Sequence, residues 1–258
     1  MRMRSGIGMW LVVSAVVAVR TAGAQTPATA PTRGAAAGNH FRVSVNAGAQ
    51  WSSDSFTGST TKLVYAENAV VNTTYDIGRG LLFDGGVLVR IAGGFHAGVA
   101  VSSFAKGHDE AVAAAIPHPF FFNKPRPLDG VAANLERREV ATHLQAAYII
   151  SPGRLDIALS AGPSWFHVEQ DLVTGVTYTE AYPFDTATFA AASSARVSAT
   201  RVGFNAGIDA GLRLSRHVGV GGLVRLSRAT VELPLPGAAG IKSDAGGVQA
   251  AGGVRFYF

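Results

Sequence analysis

The chain has 258 residues, 48% of them hydrophobic, with 31 glycines, no cysteine, and 22 lysines and arginines against 17 aspartates and glutamates. The lack of cysteine excludes a disulfide framework and thiolate metal centres. The formal charge of +5 is scattered rather than gathered into the dense basic stripe of a nucleic-acid surface, and it falls to +2 once Arg2, Arg4 and Arg20 are set aside with the N-terminal segment that carries them.

That segment has arginines at Arg2 and Arg4, an apolar run over residues 7–19 and the small residues Ala22, Gly23 and Ala24 before Gln25. The pattern predicts a secretory signal peptide over residues 1–24, since the apolar run is shorter than the roughly 20 residues a spanning helix needs. Residues 25–39 are rich in Pro, Ala, Thr and Gly without apolar periodicity and predict a flexible lead-in. From residue 40 onward the period is two, which predicts a single all-β domain over 40–258.

The first alternating segment, residues 40–51, puts Phe41, Val43, Val45 and Trp51 on one face and Arg42, Asn46 and Gln50 on the other. Residues 52–79 are polar and read as a long loop, within which residues 62–75 could extend the flanking strands beyond the membrane. Residues 81–91 and 95–102 alternate again around the glycine turn 92–94, setting Phe83, Val87, Phe95 and Val99 against Asp84, Arg90 and His96. Residues 106–137, with Pro117, Pro119, Pro125 and Pro127 around Phe120, Phe121 and Phe122, read as a second long loop.

Residues 138–150 set Val140, Leu144 and Tyr148 against Glu139 and His143, and residues 155–166 return after a tight Ser-Pro-Gly-Arg turn. Pro163 lacks a ladder donor and predicts a bulge or an early strand end. A third long loop is expected over residues 169–199, containing Tyr182 and Phe184. Residues 200–214 then oppose Val202, Phe204 and Ile208 to Asn205, Asp209 and Arg213, and residues 218–232 oppose Val220, Val224 and Leu226 to Arg225. After a loop over 233–243, the final segment alternates Val248, Val254, Phe256 and Phe258 with Gln249 and Arg255.

Eight alternating segments joined by connections that run long, short, long predict an eight-stranded antiparallel up-and-down transmembrane β-barrel, with long external loops and short periplasmic turns. Aromatics near the segment ends predict two girdles: Phe41, Phe95, Tyr148, Phe256 and Phe258 at one interface, and Trp51, Phe83, Trp165 and Phe204 at the other. With the ending Val-Arg-Phe-Tyr-Phe, this pattern resembles the small outer-membrane barrels of the OmpA, OmpX and OmpW type. The resemblance covers residues 40–258 and implies the bacterial outer membrane, both termini periplasmic, and an insertion signal in Val254, Phe256 and Phe258. Expected partners are outer-membrane lipid, lipopolysaccharide and the barrel-assembly machinery, with no nucleic acid, for a monomer without cofactor or metal.

A barrel of eight strands has an interior that side chains fill. Arg42, Asp84, Arg90, His96, Glu139, His143, Asn205, Asp209, Arg213, Arg225 and Arg255 are therefore expected to form a polar lumen network. The favoured function is structural or surface binding through the loops, with Phe120, Phe121, Phe122, Tyr182 and Phe184 as the binding residues. The alternative, implied by the OmpW resemblance, is a narrow channel or binding site for small molecules, apolar ones included. No local signature joins His96, Ser102, His143 and Ser160 into a catalytic set, so no enzyme is expected. His108, Asp109, Glu110 and His118 read as a solvated cluster rather than a metal site.

Overall fold

The computed structural model describes residues 40–235 and 240–258; the segments read as signal peptide (1–24) and lead-in (25–39) lie outside the described residues. Among them are ten strands: β1 Phe41–Trp51, β2 Ser55–Val64, β3 Glu67–Asp76, β4 Arg79–Ala92, β5 Phe95–Ile116, β6 Arg126–Ile150, β7 Leu155–Glu180, β8 Ala187–Arg213, β9 Val218–Leu233 and β10 Ile241–Tyr257. The count of ten corrects the eight expected. All pairings are antiparallel, and the ladder runs from β1 through β4, β5, β6, β7, β8, β9 and β10 back to β1. Eight strands thus close the barrel, and closure leaves no edge through its lower part.

The additional pair, β2 and β3, is a hairpin within the span expected to be a loop. It prolongs the β1–β4 ladder across a short break, where Ser52 N donates to Gly78 O (3.0 Å) and Ile77 N to Asp54 O (3.2 Å). Its second strand pairs with β5 from Val70 to Thr73. Most of the loop expected over 106–137 and 169–199 is also strand, leaving residues 117–125 between β5 and β6 and 181–186 between β7 and β8 as tips. At the opposite end the turns are short, with Gly93 (φ 55°) and Gly153 (φ 68°) supplying the left-handed residues that such turns need. The barrel's first and last residues meet there: Phe41 N donates to Phe258 O (3.0 Å) and Phe258 N to Phe41 O (2.9 Å).

The expected loops are strands because the apolar face changes sides partway along the chain. In β9, Val218, Val220, Val224 and Leu226 point outward and are exposed, while Arg225 and Ser227 are buried inside. Three residues on, with the alternation unbroken, Ala229, Val231 and Leu233 occupy the inside and Arg228, Thr230 and Glu232 the outside. β7 does the same, with Leu159 and Trp165 outward below and Phe166, Val168 and Leu172 inward above. A strand that crosses from hydrocarbon into water must exchange faces in this way. The upper strands consequently enclose an apolar core that includes Tyr75, Phe104, Phe166, Leu172, Val231 and Leu233.

Pro163 ends nothing. β7 runs through it to Glu180, and its register with β6 is the same on both sides, His143 opposite Ser164 and Ala146 opposite Ala161. The amide of Asn205 reaches the carbonyls around the missing rung, Leu144 O at 3.3 Å, Gly162 O at 3.0 Å and Pro163 O at 3.2 Å. A side-chain donor thus takes over from the absent backbone N–H.

Candidate functional site

The lower lumen is a continuous hydrogen-bonded chain of charged and amide side chains. Asp209 on β8 sits nearest the turn end and accepts from Arg42 and, at 2.8 and 3.2 Å, from Arg255. Arg255 also donates to Asn46 Oδ1 (2.6 Å), and Asn46 in turn donates to Asp84 (2.9 Å), whose second oxygen takes Arg225 at 2.6 Å. Above this level Gln249 and Gln50 bond each other (2.8 Å), and Gln50 reaches Glu139 at 3.0 Å. Glu139 holds Arg137 (2.7 Å), which donates to Ser243 Oγ at 2.9 Å and Asp244 O at 3.0 Å.

A second layer crosses from β5 to β8. His143 bonds Ser102 Oγ (2.9 Å) and Ser164 Oγ (2.7 Å), and Asn205 donates to the same Ser164 at 2.8 Å. The structure therefore joins Ser102 and His143, which nothing in the sequence links. All are fully buried. Leu82, Phe104 and Phe166 close the lumen directly above, at the floor of the apolar core.

Of the expected network, Arg42, Asp84, Glu139, His143, Asn205, Asp209, Arg225 and Arg255 take part as described. Arg213 forms a separate pair with Asp156 (2.7 Å), half exposed at the turn-end rim. Arg90 and His96 do not belong to it. Arg90 is exposed and donates to Gly93 O (2.8 Å), and His96 Nδ1 lies 2.9 Å from Gly94 O, so both serve the β4–β5 turn. They continue the inward parity, but the strand ends before it can carry them into the lumen. Arg137, Gln170, whose Oε1 accepts from Arg137 at 3.4 Å, and the amides Asn46, Gln50 and Gln249 were not in the expected set: Arg137 and Gln170 lie in segments taken for loop, and the three amides sit on the inner face beside charges that drew the reading.

The tips at residues 117–125 and 181–186 come together as one aromatic crown. Phe120 packs edge-on against Phe184 (5.5 Å between ring centres), and Tyr182 does likewise (6.1 Å). Arg126 fastens the base, donating to Pro117 O at 2.8 Å and Phe184 O at 3.0 Å and forming an ion pair with Glu180 at 2.6 Å. Phe120, Phe121, Phe122 and Tyr182 remain exposed, and Phe184 is half-buried. His118 lies buried beneath Phe121, and His108 lies elsewhere, beside Glu110 and Gln170; among the described residues no three potential ligands gather into a metal site.

Tyr65, at the β2–β3 turn, donates to Glu180 and ties that hairpin to the crown. The bond to Glu180 pushes the Tyr65 hydroxyl up to about 12. Burial raises the Glu180 carboxyl, but the bonds from Tyr65 and Arg126 outweigh it and hold the group below its ordinary value. A depressed carboxyl stabilises above its unfolded pKa of about 4.3 and loses that contribution as pH falls through the folded value. Amide exchange at residues 63–66 is therefore expected to accelerate selectively as pH drops below about 4, when intrinsic exchange rates are corrected for; uniform protection down to pH 3 would show that the tie is immaterial.

The outward face decides the setting. Around the lower barrel Val45, Trp51, Phe83, Val99, Leu144, Trp165, Ile208, Val224 and Val254 are exposed while the charges are buried, the reverse of a water-soluble barrel. The fold is that of an outer-membrane β-barrel. Both aromatic girdles of the barrel lie on this face, with Phe41, Phe95, Tyr148 and Phe258 exposed toward the turn end and Trp51, Phe83, Trp165 and Phe204 toward the loops. Phe95 and Tyr148 are register partners whose rings meet edge-on at 4.9 Å. Of the expected insertion signal, Val254 and Phe258 are outward and exposed and Phe256 is half-buried.

Among solved structures, the barrel is similar to the outer membrane protein OprG from Pseudomonas aeruginosa, with 10% identity over 86% of this chain and 96% of that one and a TM-score of 0.47. It is also similar to Neisserial surface protein A (13% identity, 84% and 97% coverage, TM-score 0.39) and to the outer membrane protease OmpT from Escherichia coli (7% identity, 86% and 98% coverage, TM-score 0.48). No protein-family model and no curated protein matches the chain.

Proposed function

We propose that the protein resides in a bacterial outer membrane, termini and short turns toward the periplasm, as a sealed barrel that holds an aromatic binding surface away from the bilayer. The observation that carries this reading is the crown itself. Four exposed rings stand together at the end of strands that continue for about 50 Å beyond Trp165, and Arg126 and Glu180 brace them from below. Exposed apolar residues clustered on a braced tip mark a binding surface, whereas rings that only capped the barrel would turn inward. The partner this chemistry fits is an apolar surface or molecule.

Cells displaying the protein are expected to adhere to alkyl-coated particles. The triple variant Phe120→Ser, Phe121→Ser, Phe122→Ser should lose most of that adhesion while keeping the heat-modifiable gel mobility of a folded barrel. Undiminished adhesion by the triple variant would remove the crown as the binding surface.

The same reading has an electrical consequence. The refolded protein in a planar bilayer is expected to stay silent, because the Asp209-to-Arg137 chain and the apolar core above it both block the axis. Discrete, ion-selective current steps would overturn the sealed lumen.

A further inference from the structure

The lower lumen contains a cavity of about 30 Å³ between Arg42 and Arg225, with Asp84, Asp209, Gln145 and Ser160 also on its wall. Both guanidiniums are almost fully buried, with side chains 6% and 3% exposed. Among the described residues, Arg42 Nη1 and Arg225 Nε have no hydrogen-bond partner. Each is a charged donor withdrawn from water, where a missing partner is costly. Two such donors on one small cavity call for a shared acceptor.

The charge balance gives that acceptor a sign. Around this level stand four guanidiniums, Arg42, Arg213, Arg225 and Arg255, and three carboxylates, Asp84, Asp156 and Asp209. Arg213 and Asp156 cancel at the rim. Asp209 is shared by Arg42 and Arg255, and Asp84 serves Arg225, so one positive charge is left over in a site shielded from solvent. An uncompensated buried charge is costly, and a small anion removes the cost. The two carboxylates on the wall do not repel it strongly, since their oxygens already accept from Arg42, Asn46, Arg225 and Arg255.

We propose that this cavity binds one monovalent anion of chloride size, bridging Arg42 Nη1 and Arg225 Nε. The cavity of about 30 Å³ exceeds the roughly 10–15 Å³ that one water needs, so it has room for a halide. The anion is part of the seal, completing the neutralisation of the lumen.

Two measurements test this on the refolded protein. In crystals grown with sodium bromide, an anomalous peak is expected within hydrogen-bonding distance of both Arg42 and Arg225; density there without anomalous signal would identify a water and overturn the proposal. In detergent at constant ionic strength, exchanging gluconate for chloride is expected to raise the unfolding temperature by about 3–6 °C per tenfold chloride above the dissociation constant. Arg42→Gln restores charge balance by itself and leaves Asp209 its two bonds from Arg255, so this variant is expected to lose the chloride dependence. A wild-type unfolding temperature indifferent to chloride, or an Arg42→Gln variant with undiminished dependence, would count against the site. Should that variant fail to fold, the bromide crystal still decides.

Discussion

Asp209→Ala is expected to lower the unfolding temperature of the detergent-solubilised barrel by roughly 10 °C, the largest single effect among the lumen residues. Asp209 is the common acceptor for Arg42 and Arg255, and its removal strands two buried guanidiniums at once. Breaking a buried pair by deleting one partner costs about 3–5 kcal/mol, and for a chain of this size each kilocalorie is worth about 2–4 °C. Asp156→Ala is the matched control: its ion pair with Arg213 is also short, but the guanidinium left behind is 33% exposed at the rim and water takes over part of the lost interaction. Equal losses for the two variants would mean that the lumen network does not hold the barrel together. Asp209→Ala also opens the lower seal alone, so it tests whether the apolar core above suffices to keep the bilayer silent.

Phe166→Ala should be comparably destabilising for a different reason. Phe166 is 1% exposed, lies at the floor of the apolar core and packs edge-on over His143 at 6.1 Å. Truncating it leaves a cavity where the polar and apolar interiors meet, at a cost of about 3–5 kcal/mol. The fall in unfolding temperature should be accompanied by faster amide exchange in β7 above residue 166, with the strands below it unchanged. A variant within about 2 °C of the parent would show that the upper core contributes little to stability.

The lower barrel was legible in the sequence because one period and one polarity persist there: Val218, Val220, Val224 and Leu226 against Arg225 is an unambiguous strand. The upper barrel was not, for a physical reason. At Arg228 the polar residues move to the outer face, and a reading that requires apolar residues to stay on one side stops at the point where the surrounding medium changes. The β2–β3 hairpin was half legible: residues 62–75 could be read as extending the flanking strands, but the small polar side chains, Ser, Thr and Asn, read equally well as loop. Arg90 and His96 failed for the opposite reason, since parity alone carried them into a lumen that their strands do not reach. The meeting of the Phe120 and Tyr182 tips was foreseeable in kind, yet its brace, Arg126 on Glu180, joins residues far apart in the chain and needs the register of β6 against β7 to place it.

The exchange of faces seen in β7 and β9 also works as a waterline. Sliding the barrel deeper by two residues, about 7 Å, would carry outward-facing Arg228 and His167 toward the hydrocarbon, and lifting it by as much would leave Leu226 and Trp165 in the aqueous layer. The cost of an outward cationic side chain grows with depth, from about 0–1 kcal/mol near the interface to about 2–4 at the midplane, and several strands resist the same displacement together. The barrel therefore rides at one depth, and a bilayer of another thickness must deform to meet it.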